Sequence, residues 1–272
     1  MRGRFLKVSV PRLKEPKRRR GLHLIPNLLT TGNLFSGLAS VVLVVHQRYT
    51  AAAIAILLAI VFDTLDGTSA RLMHSSSKFG VEYDSLSDLI AFGLAPGLLV
   101  YTWALGSPGL FGAAVMFAYV ACGALRLARF NVMSGTNESK YFTGLPIPAA
   151  AGLLSTLLIF DQYVAHMSER VRSFVVLVVS LLLSFLMVST LKYWSLKHLQ
   201  FQGHHHFMYL VWAVLVLVAV IAYPQLMLFG LFAAYVLSGV VDKGRVLVNK
   251  MLLKQRGSME RHTPSPSGGT KE

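Results

Sequence analysis

Apolar residues run through this chain in long stretches separated by short polar breaks, as in Val41–Val45, Ala51–Phe62 and Val175–Val188. Stretches of that length, apolar on every side, read as membrane-crossing helices rather than as the striped helices or alternating strands of a soluble core. Divided at the polar breaks, the chain yields eight predicted spans at about 24–46, 50–71, 85–105, 109–130, 146–162, 171–190, 207–223 and 225–241. The fifth is short and stops at Asp161, and only Tyr223-Pro224 parts the last two. The predicted fold class is an all-α polytopic membrane protein, with no internal repeat.

Composition agrees. The 272 residues are 54% hydrophobic and 14% charged, with a mean hydropathy of +0.56, whereas a soluble protein carries about a quarter charged residues. The lone Cys122 excludes an intrachain disulfide and argues against a cysteine metal site.

The net charge of +14 raises the question of nucleic acid, and the placement of the charges answers it. Nine of the 26 Lys and Arg lie in residues 1–20 and seven more follow Val241. With the N-terminus in the cytoplasm, 23 of the 26 fall on the inner side, and only Arg48, Arg170 and Arg172 fall outside. That asymmetry predicts an integral protein of the cytoplasmic (inner) membrane, both termini inside, with anionic lipid and not nucleic acid as its polyanionic partner. Residues 1–23 are too basic for a cleavable signal peptide. Phe5, Leu6, Val8, Val10 and Leu13 interleave with cations there, as in a membrane-surface segment, although Pro11 and Pro16 break any long helix. Residues 242–272 begin basic and end in Ser265-Pro266-Ser267-Gly268-Gly269, and read as a partly disordered cytoplasmic tail.

This orientation brings the end of span 2 and the start of span 3 to one face, where Asp63, Asp66, Asp84 and Asp88 stand. Asp63 and Asp66 are at i, i+3, and Asp84 and Asp88 at i, i+4, so each pair shares a helix face. Four carboxylates in a low dielectric repel one another, and bound dications remove the penalty. Oxygen ligands suit hard ions, so two divalent cations, Mg²⁺ or Mn²⁺, about 4 Å apart are predicted to bridge the carboxylates and grip a diphosphate. Gly67 clears a side chain where a diphosphate approaches the backbone, and Ala70 keeps the same face open one turn on. Arg71 offers a planar fork of donors to phosphate. Lys78 adds a nearby positive charge, and Gly80 is expected in the turn between the two helices.

The pattern D-x2-D-G-x2-A-R-x8-G-x3-D-x3-D, complete from Asp63 to Asp88, resembles the signature of the CDP-alcohol phosphatidyltransferases. The resemblance implies a six-helix core, two divalent metals and transfer of a phosphatidyl group from a CDP-linked lipid to an alcohol. By position, Asp63, Asp66 and Asp84 look like metal ligands, and Asp88 like a ligand and the general base. Gly67, Ala70 and Arg71 would line the cytidine diphosphate site. Residues 24–190 then form the catalytic core and 191–241 an additional helix pair. A homodimer is also implied by the family.

Further segments resemble the branch that uses serine: Phe92-Gly93-Leu94-Ala95-Pro96, Arg126-Leu127-Ala128-Arg129-Phe130-Asn131 and Gly144-Leu145-Pro146-Ile147-Pro148-Ala149-Ala150-Ala151. The expected substrates are therefore CDP-diacylglycerol and L-serine. Serine brings a carboxylate, for which Arg126 and Arg129, at i, i+3, are the candidate anchor. Asn27 and Thr30 in span 1 are expected to face the CDP-lipid. Transfer to glycerol phosphate or inositol is the alternative. A divalent-cation transporter is more distant, because it leaves Gly67, Ala70, Arg71 and Gly80 without a role. His204-His205-His206 point in different directions on any helix and read as an interfacial loop, and Glu82 reads as loop.

Overall fold

The computed structural model describes residues 24–72, 78–106, 109–133, 141–194, 214 and 218–241; side chains at 24, 25, 70–72, 141–143, 192 and 194 are outside the described set. Among the described residues seven helices are long and apolar enough to cross a membrane, running over Pro26–Val45, Tyr49–Ser69, Lys78–Leu105, Leu110–Met133, Ile147–Ala165, Glu169–Val188 and Pro224–Val241. Helices serve here because each bonds its own N–H and C=O groups where no water can. The predicted span at 207–223 lies mostly outside the described residues, as do residues 1–23, 242–272 and the three histidines.

Helices α1 (Leu24–Val45) and α2 (Tyr49–Leu72) form a tight hairpin. Small residues make it possible: Ala52, Ala53 and Ala59 are fully buried, and Gly32 lies against the ring of Phe62. The third span is composite. It starts with α3 (Lys78–Asp88), passes through a π-helical segment at Leu89–Leu94 into α4 (Ala95–Val100), and ends in a second π segment at Tyr101–Leu105. Pro96 accounts for the first irregularity. Lacking an N–H, it leaves the Phe92 carbonyl without its helical donor, and the buried Tyr119 hydroxyl donates to that oxygen at 3.1 Å instead. α1 crosses this segment at Gly37, where a Cβ would come within 2.6 Å of the Ala91 Cα.

α5 (Leu110–Met133), α6 (Ile147–Phe160) and α7 (Glu169–Val188) complete the core, and α8 (Pro224–Val241) lies against it. α6 is the central helix, buried without a break from Ala149 to Leu158. A short antiparallel ribbon pairs β1 (Tyr141–Thr143) with β2 (Lys192–Trp194), joining the entry to α6 with the exit from α7. Gly144 turns the chain out of that ribbon at φ +87°, with its N–H on the Leu191 carbonyl at 2.8 Å.

Two predicted boundaries move. The third span begins at Lys78 and not near 85, so Gly80 sits in the first turn of α3 rather than in a turn between helices, and Glu82 is helical. The first turns of α3 carry Lys78, Gly80, Glu82 and Asp84, so a continuous apolar run begins only after them. Asp161 does not end the fifth span. The helix continues as a π turn to Ala165 because the carboxylate is neutralised in place: it accepts the Met167 N–H at 2.7 Å and lies 3.9 Å from Arg172, whose guanidinium stacks over Trp103.

Candidate active site

The end of α2 and the length of α3 set four carboxylates at one end of the bundle. Asp63, Asp84 and Asp88 each direct an oxygen into one cluster, the three atoms lying within 4.8 Å of one another. Asp88 is buried, while Asp63 and Asp84 are half-buried. Asp66, also buried, turns toward α1 and accepts a short hydrogen bond from Thr30, whose hydroxyl also lies 3.1 Å from the Pro26 carbonyl. The charges acting on Asp84 are those of Asp63 and Asp66. The electrostatic cost of such proximity makes the cluster a receptor for positive charge.

An all-oxygen, carboxylate-only donor set fits a hard divalent ion and offers nothing to soft metals. Asp63, Asp84 and Asp88 are placed to hold it, and Asp66 stands one turn away. Gly67 fits the same picture: a Cβ there would meet nothing within 4 Å, so the α2 backbone borders open space. Lys78 is exposed at the start of α3. Ala70 and Arg71 belong to the last turn of α2, with side chains outside the described set. Asn27 is half-buried and its carbonyl accepts the Thr31 hydroxyl at 2.7 Å.

The two arginines part company. Arg126 is 8% exposed and makes no hydrogen bond or ion pair among the described residues, its Nε wholly without a partner. Asp88 and Asp63 act on it electrostatically. Arg129 instead donates to the Val188 carbonyl at 3.4 Å, at the open end of α7 where helix carbonyls have no internal donor.

Sequence reasoning passed over Asn33. Its Nδ2 donates to Asp88 Oδ1 at 2.9 Å, and its own Oδ1 is buried without a partner. The spacing from Thr30 to Asn33 carried the signal, since residues three apart share a helix face. Two more contacts tie the site's helices together. The Thr31 hydroxyl meets Tyr83 at 3.0 Å between α1 and α3, and Asn131 donates to Ser85 at 3.0 Å between α5 and α3.

Comparison with known proteins agrees with this geometry. The family model for CDP-alcohol phosphatidyltransferase matches residues 23–186. The chain is 39% identical over 183 residues to a CDP-diacylglycerol–serine O-phosphatidyltransferase of Helicobacter pylori, covering 65% of this chain and 77% of that protein. It is 40% identical over 180 residues to an archaetidylserine synthase of Methanothermobacter thermautotrophicus, covering 62% and 69%. A CDP-diacylglycerol–serine O-phosphatidyltransferase of Saccharomyces cerevisiae is 40% identical over 164 residues, covering 53% and 58%. With its carboxylate cluster and a family match over most of its length, this chain belongs to the CDP-alcohol phosphatidyltransferase family.

Proposed function

We propose that this protein transfers the phosphatidyl group of CDP-diacylglycerol to the hydroxyl of L-serine and releases cytidine monophosphate. The observation that carries the reading is a three-carboxylate cluster in electrostatic reach of a buried arginine that makes no hydrogen bond or ion pair among the described residues. The first is a place for a cation-held diphosphate, and the second a place for an acceptor that brings its own negative charge. Serine is also the component that the names of the relatives have in common.

The chemistry is a direct displacement. The serine hydroxyl oxygen bonds to the phosphorus bearing the acyl-glycerol, the phosphorus–oxygen bond to cytidine monophosphate breaks, and the bonding pair leaves with that phosphate. Asp88 takes the hydroxyl proton, and Asn33 holds its carboxylate in orientation from α1. Arg126 receives the serine carboxylate through paired donors. Gly67 leaves room for the diphosphate to approach the end of α2. Asp63, Asp84 and Asp88, with Asp66, would hold two divalent cations, Mg²⁺ or Mn²⁺, which neutralise the diphosphate charge when bound. The positive flanks support an orientation with this face toward the cytoplasm, where serine and cytidine nucleotides are soluble.

The test is release of labelled cytidine monophosphate from CDP-diacylglycerol in detergent, with L-serine, glycerol 3-phosphate or inositol as acceptor. Release with serine alone, abolished by chelator, is the expected result. Release only with another acceptor would keep the displacement and discard serine.

A further inference from the structure

The third span does not run past the site as a plain α-helix. Directly after Asp88 the chain winds wider over Leu89–Leu94, and the Ala95 N–H reaches back five residues to the Ile90 carbonyl. Such a π turn acts as an inserted residue. It offsets the helix on one side of it from the helix on the other by about 100°, the rotation that one helical residue makes. Beyond the turn, Ala95, Pro96, Gly97, Leu99 and Val100 of α4 are all buried, so the core fixes that half of the span. The half left to rotate is α3, which carries Asp84 and Asp88.

Two helices hold the turn. From α1, Asn33 donates to Asp88 at 2.9 Å, and Gly37 lies so close that a Cβ there would come within 2.6 Å of the Ala91 Cα. From α5, Tyr119 packs where a Cβ at Gly97 would lie 3.7 Å from its ring, and its hydroxyl donates to the Phe92 carbonyl at 3.1 Å. Tyr119 and Phe92 are both fully buried. In the ordinary α register the Phe92 carbonyl would face Pro96, which has no N–H to give and whose ring crowds that oxygen. The π turn moves the carbonyl aside, and the phenol supplies a donor in its new place. A carbonyl buried there without the phenol would carry a desolvation penalty.

We propose that Tyr119 is a positioning residue for the transfer reaction: by bonding the Phe92 carbonyl it holds the π turn, and with it the rotation at which Asp88 meets Asn33, Asp63 and Asp84. This deepens the reading of Asp88 as base and cation ligand given above, and rests on it. Tyr119 acts through the turn, on the angle between α3 and α4.

The experiment compares the full-length wild type in detergent with Tyr119→Phe and with the double variant Tyr119→Phe/Pro96→Ala. Each is measured for thermal midpoint, for the rise in midpoint on adding Mn²⁺, and for cytidine monophosphate release at saturating substrate and metal. Tyr119→Phe should lose turnover by roughly ten- to hundredfold, the scale of an ångström's misplacement at a reacting centre. Its Mn²⁺-induced rise should shrink, because Asp88 no longer meets the other two carboxylates. Pro96→Ala restores an N–H that can bond the Phe92 carbonyl in the α register. The double variant should therefore regain thermal midpoint but not turnover, since the α register turns α3 away. Recovery of turnover together with midpoint would overturn the inference. So would a Tyr119→Phe protein whose midpoint falls while its turnover and Mn²⁺ response stay at wild-type values, for the hydroxyl would then serve stability alone. Should the wild type use an acceptor other than serine, the same comparison with that acceptor still decides the role of Tyr119. A wild type that neither responds to Mn²⁺ nor releases cytidine monophosphate with any acceptor sinks the reading of the site, and the inference with it.

Discussion

Asp88 is the residue on which most of the chemistry turns. It is the most buried of the clustered carboxylates, it is oriented by Asn33, and it lies one residue before the helix loses α-helical geometry. Asp88→Asn preserves shape and hydrogen bonding but cannot take a proton. The variant should bind CDP-diacylglycerol with affinity close to wild type and lose turnover by roughly a hundredfold or more, the range general bases contribute; a near wild-type rate in the cytidine monophosphate assay would remove Asp88 as the base. The carboxylates were legible in sequence because four acidic groups at helical spacing in apolar chain admit few explanations. Asn33 was not. An amide in a membrane helix is ordinary, and only the facing helix says what it touches.

At the scale of elements, the site depends on where α1 crosses the third span. Gly37 meets Ala91 one turn along from the pairing of Asn33 with Asp88, so the close approach of the two backbones also delivers Asn33 to its partner. Gly37→Ala would drive a Cβ into the Ala91 backbone, which cannot yield as a flexible side chain does. Overpacking of this kind costs about 1–3 kcal/mol, and a lower thermal midpoint together with reduced turnover is expected. Gly67→Ala makes the contrast, since its Cβ enters open space. Its midpoint should hold or rise, alanine being the better helix former, while KM for CDP-diacylglycerol increases. Equal midpoints for the two variants would contradict this assignment of crossing point and open face. Hydropathy located these helices well but missed the polar start of α3 and the π segments, the first of which depends on Pro96 and on Tyr119 from another helix.

Considered whole, the molecule is a bundle around the buried α6 with a cluster of carboxylates gathered at one end. A ligand that binds only the folded state stabilises it by mass action, and here it would also relieve carboxylate repulsion. Mg²⁺ or Mn²⁺ at millimolar concentration should therefore raise the thermal midpoint of the detergent-solubilised protein, and chelator should reverse the shift. Asp84→Asn should reduce that dependence and, with one repelling charge removed, raise the midpoint of the metal-free protein. A midpoint indifferent to both metal and chelator would count against the cluster as a cation site. The amino-acid sequence by itself determined the membrane class, the helical spans, the charge asymmetry of their flanks and the two pairs of carboxylates, because each follows from composition or from spacing within one helix. Tertiary structure alone decided that Asp63, Asp84 and Asp88 converge while Asp66 turns to Thr30. It also decided that Arg126 is buried with an Nε that has no hydrogen-bond partner among the described residues, while Arg129 caps α7. Those outcomes depend on which helix faces which and at what depth. Small residues at a few crossings set that, and periodicity along a single helix carries no record of it.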